Sequence, residues 1–228
     1  MQAIKTLAIA AALLAGAASA QAALVNRGGG MIYDTTLNLT WLADMNYAET
    51  SGYDADGLMD WAAAGDWANN LVYGGFDDWR LPTLNSGDTS CSHNFNPGGG
   101  FAQQYYGYNC TGGELSHLFV ADLGNSAVTS VLDPTGDTAE QIANLAMFSN
   151  VQSYAYWSGL EYAPNTNDVW HFGTFYGIQN YGYYKGDALY AVAVRPGDVA
   201  ASVPEPQTLA LVLLGLGATV VARRRRPV

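Results

Sequence analysis

The sequence predicts an α+β fold: a loop-rich domain of two or three short helices with a mainly antiparallel sheet. Apolar residues recur at helical spacing in the first half and alternate at strand spacing in the second. Glycines interrupt the chain between these segments. Helices early and strands late separate the two kinds of element, as an α+β domain requires.

Around residues 28–41 the pattern MIYDTTLNLTWL alternates apolar and polar residues across an Asp-Thr-Thr turn, which predicts a β-hairpin with Trp41 facing inward. From Leu58 the apolar positions Leu58, Trp61, Ala62, Gly65, Ala68 and Leu71 recur every three or four residues. They predict an amphipathic helix over residues 57–71, started by Asp56 or Gly57 and stopped by Gly74 and Gly75. FDDWRLPT, residues 76–83, leaves that helix in a turn. Leu115, Leu118, Phe119 and Leu123 mark a second short helix over residues 114–123, between Gly113 and Gly124, and a third stretch, helical or irregular, is expected within residues 138–147. Strands follow at residues 153–158, 169–176, 181–185 and 188–195. In the last, Leu189, Ala191 and Ala193 oppose Tyr190, Val192 and Val194, the pattern of a strand packed on both faces.

The two ends differ from this body. Residues 1–22 combine Lys5, an apolar run and small residues at Ala18, Ala20 and Ala22, the features of a cleaved signal peptide. At the other end Pro204, Glu205 and Pro206 break the chain before an uncharged apolar helix, residues 208–222, and the cluster Arg223 to Arg226. Arginines after an apolar run stop transfer with the positive end in the cytoplasm. The run of fifteen residues is short against the roughly twenty that a spanning helix needs, which suits transient anchoring in the inner membrane. The order of Pro-Glu-Pro, apolar helix and arginine cluster resembles the PEP-CTERM sorting signal. That resemblance implies processing by an exosortase and a final place at the cell surface, outer membrane or extracellular matrix of a Gram-negative bacterium.

Between the ends, residues 23–200 form one domain with one sizeable core. It holds four basic residues, Arg27, Arg80, Lys185 and Arg195, against nineteen acidic ones. Such a charge repels phosphate backbones, so nucleic acid is excluded as a partner. Cys91 and Cys110 are the only cysteines, and in an exported chain an even pair predicts a disulfide.

Several stretches carry a second resemblance: WLADMNYAETSGYDADGLMDWAAAGDWANNL at 41–71, YGGFDDWRLPT at 73–83, GELSHLF at 113–119, FSNVQSYAYWSGLEYAPNTNDVWHF at 148–172 and AVAVRPG at 191–197. Together they are similar to the DUF1566 family, also called the Lcl C-terminal domain. The resemblance implies a C-type-lectin-like mixed fold and a bacterial surface module, in some members a carbohydrate-binding adhesin. It implies no catalytic residues.

The candidate binding region is residues 161–184. Trp170, Tyr176, Tyr181 and Tyr183 offer rings for sugar faces, and Asn165, Asn167 and Asp168 offer hydrogen-bond groups for hydroxyls. Glu161, Asn167 and Asp168 loosely follow the Ca²⁺ ligands of calcium-dependent lectins, though without the full motifs. Asp54, Asp56 and Asp60 lack EF-hand spacing and read as helix caps. Glu114 and His117 have the Glu-x-x-His spacing of carboxylate-bridged metals without the second copy those sites need, so His117 reads as structural. Asp77, Asp78 and Arg80 suggest a local ion pair. No nucleophile with its base and no metallopeptidase motif is present. The sequence therefore favours a non-catalytic module that binds extracellular polysaccharide in a biofilm. The rival reading is a structural or protein-interaction surface subunit without glycan affinity.

Overall fold

The hairpin forms because Asp34 closes its turn. Asp34 Oδ1 accepts hydrogen bonds from the backbone N–H groups of Thr36 and Leu37, both at 2.9 Å, and Asn38 takes the left-handed conformation (φ 54°) that asparagine tolerates. Strand β2 (Met31–Asp34) thereby pairs antiparallel with β3 (Leu39–Leu42), and Trp41 is fully buried. Strands β1 (Leu24–Gly28) and β9 (Val194–Pro196) complete a sheet of order β1-β2-β3-β9. The computed structural model describes residues 24–199. The signal peptide, the Pro204-Glu205-Pro206 motif, the apolar helix and the arginine cluster all lie outside the described residues.

A short helix, α1 (Tyr47–Thr50), leads to α2 (Trp61–Asn69). The cap of α2 is Asp60, whose side chain accepts from Ala63 N at 2.8 Å; Asp54 and Asp56 instead close the turns before it. The later start changes the phase of the helix. Ala64, Trp67 and Ala68 are its buried residues, whereas Ala62 is exposed and Gly65 half-buried. The expected stripe through Ala62 and Gly65 is therefore corrected, because a helix beginning four residues later need not bury the face read from Leu58.

Cys91 and Cys110 are disulfide-bonded, as expected, around strands β4 (His93–Phe95) and β5 (Gln104–Tyr108), neither of which the pattern announces. Next, α3 (Glu114–Ser116) runs directly into a π-helix, His117–Asp122, followed by α4 (Ala139–Leu145). Thr138 and Gln141 form a capping box at the start of α4.

Strands β6 (Ala155–Glu161), β7 (Asp168–Gly173) and β8 (Ile178–Tyr184) join β4 and β5 in an antiparallel sheet of order β4-β5-β8-β7-β6. Among the described residues, the two sheets with their four short α-helices make the α+β, loop-rich fold that the sequence predicts. The stretch at 188–195 is not one strand. Leu189 and Tyr190 make isolated bridges to Met59 and Tyr156, and only Val194–Pro196 joins a sheet, yet Leu189 and Ala191 through Val194 are all buried. Its apolar pattern reports burial on two sides rather than a continuous ladder.

The second sheet is covered on both faces. Tyr156, Trp170 and Phe172 pack with Phe119 and the hairpin residues Ile32 and Trp41, while Trp157 and Val169 pack with Trp67, Trp79 and Leu189. Each such fully buried side chain contributes about 1.5–3 kcal/mol. The FDDWRLPT turn is fixed by distant partners, which corrects the local ion pair. Asp78 binds Arg195, and Arg80 binds Glu114 through two 2.7 Å hydrogen bonds. Asp77 is exposed, since successive side chains in this extended turn point apart.

Candidate functional site

A β-bulge in β8 decides where its tyrosines point. Val169 pairs with Tyr183 and His171 with Asn180, so Tyr181 and Gly182 together oppose Trp170 alone. Gly182 absorbs the extra residue at φ +103°, a conformation that side chains rarely adopt. The Tyr181 ring stacks on Tyr162 (4.4 Å between centroids) and on Phe95 (5.0 Å), beside Trp170. Tyr183 lies edge-on to His171 at 4.4 Å and beside Trp157. Since Trp170 and His171 are successive residues of one strand, they face opposite sides of the sheet. The expected ribbon is thus split between two faces.

Trp170 is 1 % exposed and offers no open ring to a ligand, so its assignment as a binding residue is corrected: β7 lies inside its sheet and buries both of its faces. Tyr181 is half-buried in its stack, Tyr183 is half-buried, and Tyr176 is 47 % exposed. Asn165 and Asn167 are exposed in the β6–β7 loop. There Asn165 Nδ2 donates to Asp168 Oδ2 at 2.8 Å, and Asn165 Oδ1 accepts from Asn167 N. Glu161 is ion-paired with Lys185, whose ammonium also lies 4.6 Å from the centre of the Trp61 ring. The Ca²⁺ set of Glu161, Asn167 and Asp168 is corrected accordingly. A cation at Glu161 would face the Lys185 charge, and Asn165 already occupies Asp168 Oδ2.

What the ribbon does form is a shallow groove of about 380 Å³, lined by His171, Phe175, Tyr176, Asn180, Tyr181 and Tyr183 among others. Burial raises the phenol of Tyr183, so its hydroxyl stays protonated and able to donate and accept. Burial pushes His171 down to about 4, which leaves its imidazole neutral near pH 7. The lining therefore joins aromatic surface to neutral hydrogen-bonding groups and carries no fixed charge. Phe175 of the same aromatic run belongs to it, as does Asn180, which the sequence analysis did not single out. The signal for Asn180 was its position within that run.

Residues 30–195 match the Lcl C-terminal domain. The chain belongs to the Lcl C-terminal domain family. Residues 202–226 match the PEP-CTERM protein-sorting motif, which implies processing by an exosortase and export across the inner membrane to the surface of a Gram-negative cell. No curated protein and no solved structure matches the chain. Among the described residues no helix is long and apolar enough to cross a membrane.

This Lcl C-terminal domain has a second, larger cleft that sequence reasoning missed, of about 460 Å³. The small residues Ala62, Gly65 and Gly159 leave room in it between Trp61, Leu81 and the polar rim of Asp66 and Asn69. Trp61 is held by Nε1 donating to Ser158 O at 2.8 Å. The small residues of the α2 stripe, read as core, were its only trace in the sequence.

Proposed function

We propose that the exported domain binds extracellular polysaccharide, without catalysis, at the tyrosine groove of β7 and β8. The carrying observation is the exposed ring of Tyr176 set in a groove with Tyr183 and Asn180. Sugar rings present C–H faces that stack on tyrosine, and their hydroxyls pair with phenol and amide groups. The strongly acidic domain with an uncharged groove favours neutral, cationic or calcium-bridged glycans over sulfated ones. Placement outside the cell by the sorting motif puts the groove where matrix polysaccharide is found.

A glycan array and a pull-down on the producer's own exopolysaccharide test the reading. Tyr176→Ala and Tyr183→Ala should each weaken retention at least tenfold with melting temperatures within a few degrees of wild type. No retention by the wild type, with or without Ca²⁺, overturns the proposal in favour of a structural or protein-interaction role. Release of shortened sugars in the same assay would indicate an enzyme instead.

A further inference from the structure

His117 and Asp122 are five residues apart, a spacing that an α-helix would place on different faces. Here they lie on a π-helix, whose i→i+5 hydrogen bonding is seen in Leu123 N donating to Leu118 O at 3.0 Å. The wider turn brings His117 Nε2 to 3.8 Å from Asp122 Oδ2. Asp34, at the end of β2, completes the group: one oxygen each from Asp34 and Asp122 and one His117 ring nitrogen all lie within 4.8 Å of one another. Asp34 is fully buried and Asp122 is 6 % exposed.

Two of the three facing atoms are carboxylate oxygens. Asp34 Oδ1 is engaged by the hairpin turn, but Asp34 Oδ2 and Asp122 Oδ2 are buried with no hydrogen-bond partner. His117 Nδ1 lies 3.3 Å from Thr111 O, which can only accept, so Nδ1 carries a proton and Nε2 is the nitrogen turned toward Asp122. Metal-ligating histidines are oriented in this way, through their other nitrogen.

We propose that Asp34, His117 and Asp122 bind one divalent transition-metal ion, with Zn²⁺ the best fit. One imidazole and two carboxylates are a donor set zinc accepts, with water as fourth ligand; Ca²⁺ takes six to eight oxygens and is poorly served here. Ligands about 2.0–2.1 Å from tetrahedral zinc sit about 3.3 Å apart, so the group needs only a modest contraction. The ion would clamp the β2 turn to the π-helix, and none of its three ligands lines the tyrosine groove.

The test uses the full chain, untagged, in detergent after chelation and dialysis, titrated calorimetrically with Zn²⁺, Mn²⁺ or Ca²⁺. Zn²⁺ or Mn²⁺ should bind at one equivalent and raise the melting temperature, with affinity falling at least tenfold in Asp122→Asn and in His117→Gln. His117 is not fully buried, its side chain being 18 % exposed, so its variant decides the matter if Asp122→Asn does not fold. Binding of Ca²⁺ alone, no stoichiometric binding, or unchanged affinity in His117→Gln overturns the site and leaves a shared proton as the link between the carboxylates.

Discussion

Arg195 and Asp78, 117 positions apart, are joined by two hydrogen bonds, Nε to Oδ1 at 2.7 Å and Nη2 to Oδ2 at 3.0 Å. Arg195 is 8 % exposed, and its guanidinium lies 3.9 Å from the centre of the Phe76 ring. The pair fastens the turn after α2 to the strand that closes the first sheet, and its hydrogen bonds hold the Asp78 carboxyl below the usual range.

Asp78→Ala would leave a buried guanidinium without its anion. Because Asp78 itself is partly exposed and water can reach the gap, the expected cost is about 2 kcal/mol, below that of a fully buried pair. Thermal unfolding should show a fall of about 6 °C for a domain this size. An unchanged melting temperature would show that the pair adds nothing.

Glu114 holds both Arg80 and the backbone N–H of Thr83, the latter at 2.8 Å. Glu114→Ala removes all three bonds and should cost about 1–2 kcal/mol. Hydrogen exchange at Thr83 should accelerate in the variant; protection equal to wild type would argue against this role.

The disulfide spans 19 positions, and closing a loop of that size stabilises the fold by roughly 3 kcal/mol. Reduction should lower the melting temperature by about 9 °C, and the double variant Cys91→Ser, Cys110→Ser should no longer respond to reductant. A reductant response that survives in the double variant would place the effect elsewhere.

His171, 5 % exposed and pushed down to about 4 by burial, predicts acid sensitivity. Between pH 6.5 and about 4 the unfolded chain holds a proton on this ring that the folded chain does not, so stability rises with pH in that window. The loss on acidification through it is about 3 kcal/mol. Urea unfolding of wild type against His171→Phe at pH 7 and pH 4 measures it: the wild type should lose more stability, and equal losses would exclude His171 as the source.

Local chemistry made much of this protein legible. The Asp-Thr-Thr turn and the pairing of Cys91 with Cys110 depend on residue types at short range or on a single possible partner. Periodicity located α2 and strands β6 to β8, but their limits shifted wherever a cap or a bulge set them, as at Asp60 and Gly182. The sequence by itself determined the α+β class, the disulfide and the sorting tail, since each follows from pattern or composition. Only the tertiary structure decided that Asp78 chooses Arg195, that Trp170 is core while Tyr176 is open, and that Asp34 meets His117 and Asp122. Partner choice among similar residues depends on strand register and helix pitch. One added residue in β8, or one wider turn after Ser116, redirects every side chain beyond it.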